Sequence, residues 1–114
     1  MSAVLSVLKR ARELLAQGWT QQVCARDKDG DIAPSLGRRG EPLFPGASCY
    51  CAFGAVVAAA HEQGQGSSKR GALDALWEAL GGGSLVTFND RPERTQAEVL
   101  AVFDVAIAKL EAQP

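Results

Sequence analysis

Residues 48–64, Ser-Cys-Tyr-Cys-Ala-Phe-Gly-Ala-Val-Val-Ala-Ala-Ala-His-Glu-Gln-Gly, contain the longest apolar stretch of the chain. Ser48 has the chemistry of a helix cap and Gly64 that of a helix stop. The pair predicts a helix from about Cys49 to Gln63. One face would carry Tyr50, Phe53, Gly54, Val57 and His61, while the other faces are mostly alanine with Cys51 and Val56. Side chains this small let neighbouring helices approach closely, so the helix is expected at the centre of the molecule.

Upstream, Ser2 can cap a first helix over Ala3–Gln17, in which Val4, Leu8, Ala11 and Leu15 recur at helical spacing beside Leu5 and Leu14. Gly18 is expected to end it in the left-handed conformation, with Trp19 folding back against Leu14. Beyond Trp19, Asp27-Lys28-Asp29-Gly30 is turn chemistry, and Ile32-Ala33 can form a return strand. A short β-hairpin leaning on the helices is the expected result. Residues 34–47, rich in proline and glycine, read as a loop pinned by Leu36, Leu43 and Phe44.

Downstream, Ser67 or Ser68 starts a third helix with the apolar stripe Leu73, Leu76, Trp77 and Leu80, broken at Gly81-Gly82-Gly83. Ser84–Phe88 is expected to be extended or irregular, and Asn89-Asp90-Arg91-Pro92 to turn. Thr95-x-x-Glu98 is a capping box for a last helix that buries Val99, Phe103, Ala106, Ile107 and Leu110. The fold class is therefore mainly α: four helices with a small hairpin after the first, in one domain over 1–114.

Composition narrows the function classes. The chain has 114 residues, 46% of them hydrophobic, which suits one packed core without staples. A net charge of −1, from 12 basic and 13 acidic residues, argues against a dedicated nucleic-acid binder. No apolar run reaches the ~18 residues of a membrane span. Lys9, Arg10, Arg12 and Glu13 interrupt any signal-peptide core. Three cysteines, an odd number, suit reduced thiols, so a cytoplasmic location is expected.

Five constellations could carry chemistry. Cys49, in the first turn of the expected second helix, gains thiolate character from the helix terminus and is the best nucleophile by position. Its natural base, His61, sits twelve residues on, about 18 Å along the axis and roughly 120° around it. A continuous helix forbids the dyad. Cys24, Cys49 and Cys51 meet no zinc spacing rule, so no metal is expected. Asp27, Asp29 and Asp31 resemble a calcium loop, but its twelfth position is Arg38, not the required Glu. His61 reads as a structural histidine near a helix end. Asn89-Asp90 can satisfy its own turn, or present polar groups to a pocket beneath Trp77 or Trp19.

The order of these motifs resembles an uncharacterised family of small bacterial and phage proteins, a domain of unknown function. The resemblance is carried by Gly18-Trp19, by Ala25-Arg26-Asp27-Lys28-Asp29-Gly30, and by Cys51-Ala52-Phe53-Gly54-Ala55. It continues in Asn89-Asp90, preceded by the aromatic Phe88, and in Arg94-Thr95-Gln96-Ala97-Glu98-Val99. It spans nearly the whole chain and places the family's cysteine at Cys51 rather than Cys49. It implies no activity. The expected function is a non-enzymatic binding or regulatory module for a protein or small ligand, without cofactor, possessing a working surface where Trp19, Cys51, Asn89 and Asp90 converge. The competing reading is a small hydrolase or transferase that uses a cysteine supported by Asn89 or Asp90.

Overall fold

The computed structural model describes residues 2–35 and 41–113. Helix α1 runs Ala3–Gln17, and the Ser2 hydroxyl accepts from the Leu5 N–H at 3.2 Å. Its inward face is Leu5, Val7, Leu8, Ala11, Leu14 and Leu15, all buried. Strand β1, Ala25–Asp27, pairs antiparallel with β2, Ala47–Tyr50, and the central helix α2 follows directly as Ala52–Glu62. A 3-10 turn at Gly66–Ser68 leads into α3, Lys69–Ala79. A short α4, Leu85–Asn89, and the long α5, Gln96–Glu111, complete the order. The architecture is mainly α, with four long helices and one small antiparallel pair. The core side chains Leu8, Leu15, Val56, Leu76, Val99 and Phe103 come from α1, α2, α3 and α5 and are fully buried.

The start of α5 and the stop of α2 follow local rules. Thr95 and Glu98 form the complete capping box of α5. Gly64 takes φ +66°, and Gln65 and Gly64 donate to the Ala60 and His61 carbonyls at 2.8 and 3.1 Å, a double closure of α2. The aspartate turn also forms: Asp27 Oδ1 accepts from the Asp29 and Asp31 N–H groups at 2.9 and 3.0 Å, and Gly30 has φ +84°.

The structure departs from the sequence reading at five points. Gly18 is extended (φ −176°), not left-handed. Its carbonyl accepts from Tyr50 N–H at 3.0 Å, and a Cβ there would overlap the Ser48 carbonyl oxygen. Close approach of β2, rather than positive φ, is what requires glycine. The return leg of the turn contributes one bridge, Arg26 to Ile32, and most of the partner strand comes from Ala47–Tyr50. That choice joins the strand pair directly to the buried α2, whereas Ile32 is left 65% exposed. Ser48, Cys49 and Tyr50 are therefore strand residues, and α2 starts later, capped by Cys51.

Trp77, placed on the apolar stripe of α3, points outward and is 55% exposed, while Ala72 and Leu76 face the core. Residues 85–89 are helical because the Ser84 hydroxyl accepts from Thr87 N–H at 3.2 Å and Leu85 is buried. Phe44 is buried and Leu43 packs on the core, so the loop before β2 is pinned there. Leu36, the third expected pin, and Arg38 lie outside the described residues. No helix among the described residues is long and apolar enough to cross a membrane.

Candidate functional site

Three segments meet at one side chain. Trp19 is held against β2 because Gly18 and Thr20 bond the Tyr50 backbone on either side of it. The start of α2 is held to residue 24 by the Cys51 N–H, which donates to the Cys24 carbonyl at 3.0 Å. Gly54 allows this approach, since a Cβ at that position would overlap the same carbonyl. The end of α4 supplies Asn89, the one polar residue buried among those described.

Asn89 fills its whole hydrogen-bonding capacity. Its Oδ1 accepts from Trp19 Nε1–H at 2.8 Å and from Ala52 N–H at 2.9 Å. Its Nδ2 donates to the Thr20 carbonyl at 3.2 Å and to Asp90 Oδ1 at 2.9 Å. The Ala52 N–H is an orphan donor of the first turn of α2, so Asn89 completes that helix's cap from outside. Asp90 Oδ1 also accepts from Gln22 N–H at 2.9 Å, and Gln21 Nε2 bridges the Asn89 and Arg91 carbonyls at 2.9 and 2.6 Å. Gln22 has φ +77°, a conformation that side chains rarely adopt, held in place by the Asp90 carboxylate. Beneath the turn, the Arg94 guanidinium lies 3.7 Å over the Phe88 ring and its Nε donates to the Phe88 carbonyl at 2.8 Å.

The four residues singled out by sequence thus share one locale, with two different placements. Trp19 and Asn89 bond each other inside the clasp. Cys51 and Asp90 line a pocket of about 110 Å³ with Val23, Cys24, Phe53 and Val86. A groove of about 300 Å³ adjoins it, sharing Phe53 and Val86 and continuing over Leu73, Trp77 and Arg70. Trp19, not Trp77, is the tryptophan bonded to Asn89.

The cysteine chemistry is subdued. Burial pushes the Cys51 thiol up to about 11, and the bond it accepts from Gly54 N–H at 3.2 Å only partly opposes this. The nearby Asp90 charge pushes in the same direction as burial. Cys51 is therefore a protonated thiol at neutral pH, although it sits at a helix N-terminus. Cys49 lies in β2, and its Sγ–H points to the Arg26 carbonyl at 3.9 Å. His61 is elsewhere, with Nε2 3.1 Å from the Glu41 carbonyl, on a cavity of about 340 Å³ shared with Phe44 and Tyr50. Burial, and next the Glu62 charge, raise the Tyr50 phenol there. Among the described residues no three His, Cys, Asp or Glu side chains gather as a metal ion would require.

A protein-family model spans residues 1–109 of the chain. The chain belongs to DUF6197, a family of unknown function. Comparison with curated proteins and with solved structures finds no match. The family span includes every residue of the clasp and of the pocket beside it, and it brings no activity with it.

Sequence reasoning missed Gln21, Gln22, Val86 and Arg94 as parts of this locale. The pattern Arg94-Thr-x-x-Glu marked a helix start but not the stacking on Phe88. A positive φ at Gln22 has no signal in the sequence, because it is imposed by Asp90 from 68 residues away.

Proposed function

We propose that this DUF6197 protein is a non-enzymatic binding module that takes a segment of a partner protein. The segment would lie along the face from Asp90 and Cys51, across Phe53 and Val86, to Trp77. The observation that carries this reading is the outward placement of Trp77, 55% exposed, and Val86, 46% exposed, on one continuous depression. A large aromatic beside further apolar side chains is the composition of an interface centre, whereas singly scattered apolar residues carry no such meaning. Two joined concavities fit an extended segment better than a compact ligand. The ends also differ in charge, with the exposed Arg70–Asp74 pair at 3.5 Å at one and Asp90 at the other.

In this reading Trp19 and Asn89 hold the wall, while Cys51 and Asp90 line the floor. A cysteine-dependent hydrolase or transferase is the weaker reading, because the Cys51 thiol is protonated and its sulfur is engaged in capping α2. A bacterial or phage setting and a cytoplasmic location belong to the same proposal. The first rests on the order of motifs and the second on three free cysteines.

The test is selection of random twelve-residue peptides on the immobilised protein, with the hits remeasured on Trp77→Ala and Val86→Asp. Both side chains are exposed, so both variants should melt like the parent. Binding that weakens about tenfold or more, as expected for an aromatic anchor, supports the reading. Hits indifferent to both changes overturn it. So does a concentration-dependent dimer in sedimentation that Val86→Asp dissolves, since the face would then be covered by a second copy.

A further inference from the structure

We infer that the pocket between Asp90 and Cys51 receives one lysine side chain of the bound segment, an inference that rests on the binding reading above. Its volume, about 110 Å³, falls below the ~300–1,000 Å³ typical of sites for whole small ligands and suits a single side chain. Val23, Phe53 and Val86 give it an apolar wall, against which a methylene stem can lie while its head stays polar.

Charge sets the head group. Among the described residues lining the pocket, Asp90 alone is charged, and the neighbouring Cys51 thiol is neutral. The Asp90 carboxylate is also fixed before any ligand arrives. Its Oδ1 accepts from Gln22 N–H and Asn89 Nδ2, both at 2.9 Å, whereas its Oδ2 accepts nothing from the described residues. A carboxylate with one oxygen occupied twice and one open matches a point-charge ammonium. A guanidinium fork uses both oxygens in parallel and would have to displace the Gln22 or Asn89 bond. The Gln22 side chain lies exposed on the rim, where its amide oxygen can accept a second ammonium proton. The unusual backbone at Gln22 is what brings its N–H to Asp90 and its side chain to that rim.

The probes are butylammonium, propylguanidinium, butyrate and butanol, titrated separately at equal ionic strength into the isotopically labelled protein. Amide shifts in two-dimensional NMR are followed at Gln22, Cys51 and Asp90. Butylammonium is expected to shift these amides at the lowest concentration, with propylguanidinium weaker and butyrate and butanol near inert. In Asp90→Asn, which keeps the Oδ1 acceptor and should fold, the butylammonium affinity should fall about tenfold, the scale of one charged hydrogen bond. Butyrate or butanol shifting the same amides equally well, or an unchanged affinity in Asp90→Asn, overturns the inference. Equal response to propylguanidinium overturns the choice of lysine. If the probes fail while selected peptides still depend on Trp77 and Val86, the lysine pocket is wrong and the binding face stands. If the peptides ignore those residues, the binding face itself is wrong.

Discussion

Helix α5 and the clasp around Asn89 are neighbours in the chain and opposites in construction. The start of α5 is made from residues three positions apart, with Thr95 Oγ1 accepting from Glu98 N–H at 3.2 Å and Glu98 Oε1 from Thr95 N–H at 3.0 Å. The clasp centres on Asn89, six residues before Thr95, and three of its four bonds reach partners 37 to 70 positions away. Local bonding is readable from residue types and spacing, whereas long-range bonding depends on which segments the core brings together. The same difference separates their energetics. The capping box is exposed to water, which can replace a lost bond, whereas the clasp centres on a fully buried Asn89 and bonds that are buried or partly buried, where water replaces a lost partner less readily.

Asn89→Ala is expected to have the greatest effect on stability. The change strands the Trp19 indole N–H and the Ala52 N–H, and each buried unsatisfied donor costs about 1–3 kcal/mol. We expect a total loss of about 3 kcal/mol or more. At about 4–8 °C per kcal/mol for a domain near this size, melting should fall by at least ~12 °C. Trp19 fluorescence should shift to the red as the indole meets water. A loss no larger than that of an exposed cap would mean that the clasp relaxes and hydrates, and its burial would then have no energetic consequence.

Burial of Cys51 carries the same contrast onto the pH axis. Its folded value, about 11, lies above the ordinary value of 9.0. The neutral thiol is therefore the form the folded state prefers. Its contribution is fully present below pH 9.0 and is lost as pH rises toward about 11. Two units correspond to roughly 2–3 kcal/mol. Chemical denaturation across that window should show this decline, and Cys51→Ala should show a shallower one. The Tyr50 phenol, also raised by burial, adds to the slope that remains. A thiol reagent at neutral pH should modify Cys51 slowly in the folded protein and quickly in denaturant. Fast modification of folded protein would restore the enzyme reading.

These contrasts explain what the sequence could disclose. The bounds of α1 and α5 follow from Ser2, from Thr95 with Glu98, and from apolar spacing, because each signal acts within a turn of helix. The start of α2 was misjudged because Ser48 and Cys51 are both competent caps. The choice between them is made by β1, which recruits Ala47–Tyr50 into a ladder. The need for glycine at position 18 is not a local signal, since it comes from the Ser48 carbonyl 30 residues away. Trp77 shows the opposite failure: helical spacing put it on an apolar stripe, but the stripe is wider than the core that α3 meets. Trp19, Cys51, Asn89 and Asp90 are legible as a group because each belongs to one of the short motifs whose order carries the family resemblance. Their division into wall and floor was not legible, because it depends on which way each side chain turns.

The smallest expected effect lies on the other side of the comparison, at Thr95→Ala. The substitution removes the oxygen that accepts from Glu98 N–H, and that donor then turns to water because this first turn is exposed. Cap removal of this kind costs about 1 kcal/mol, which is about 4–8 °C in melting temperature here. The other half of the box survives, because the Thr95 backbone N–H still donates to the Glu98 carboxylate. That backbone bond, with the Arg94 charge after it, holds the Glu98 carboxyl below its ordinary value. Its contribution is present above the ordinary carboxylate range and is lost as pH falls through the lowered folded value. The Thr95 side chain is only a minor cause of that lowering, so Thr95→Ala should lower stability by nearly the same amount at neutral pH and through the acid transition, whereas Glu98→Gln should flatten that transition. If Thr95→Ala instead melts like the parent, α5 takes its cap from residues nearer Pro92. Asn89-Asp90 would then share in capping α5, and the separation of a local cap from a long-range clasp would fail at that point.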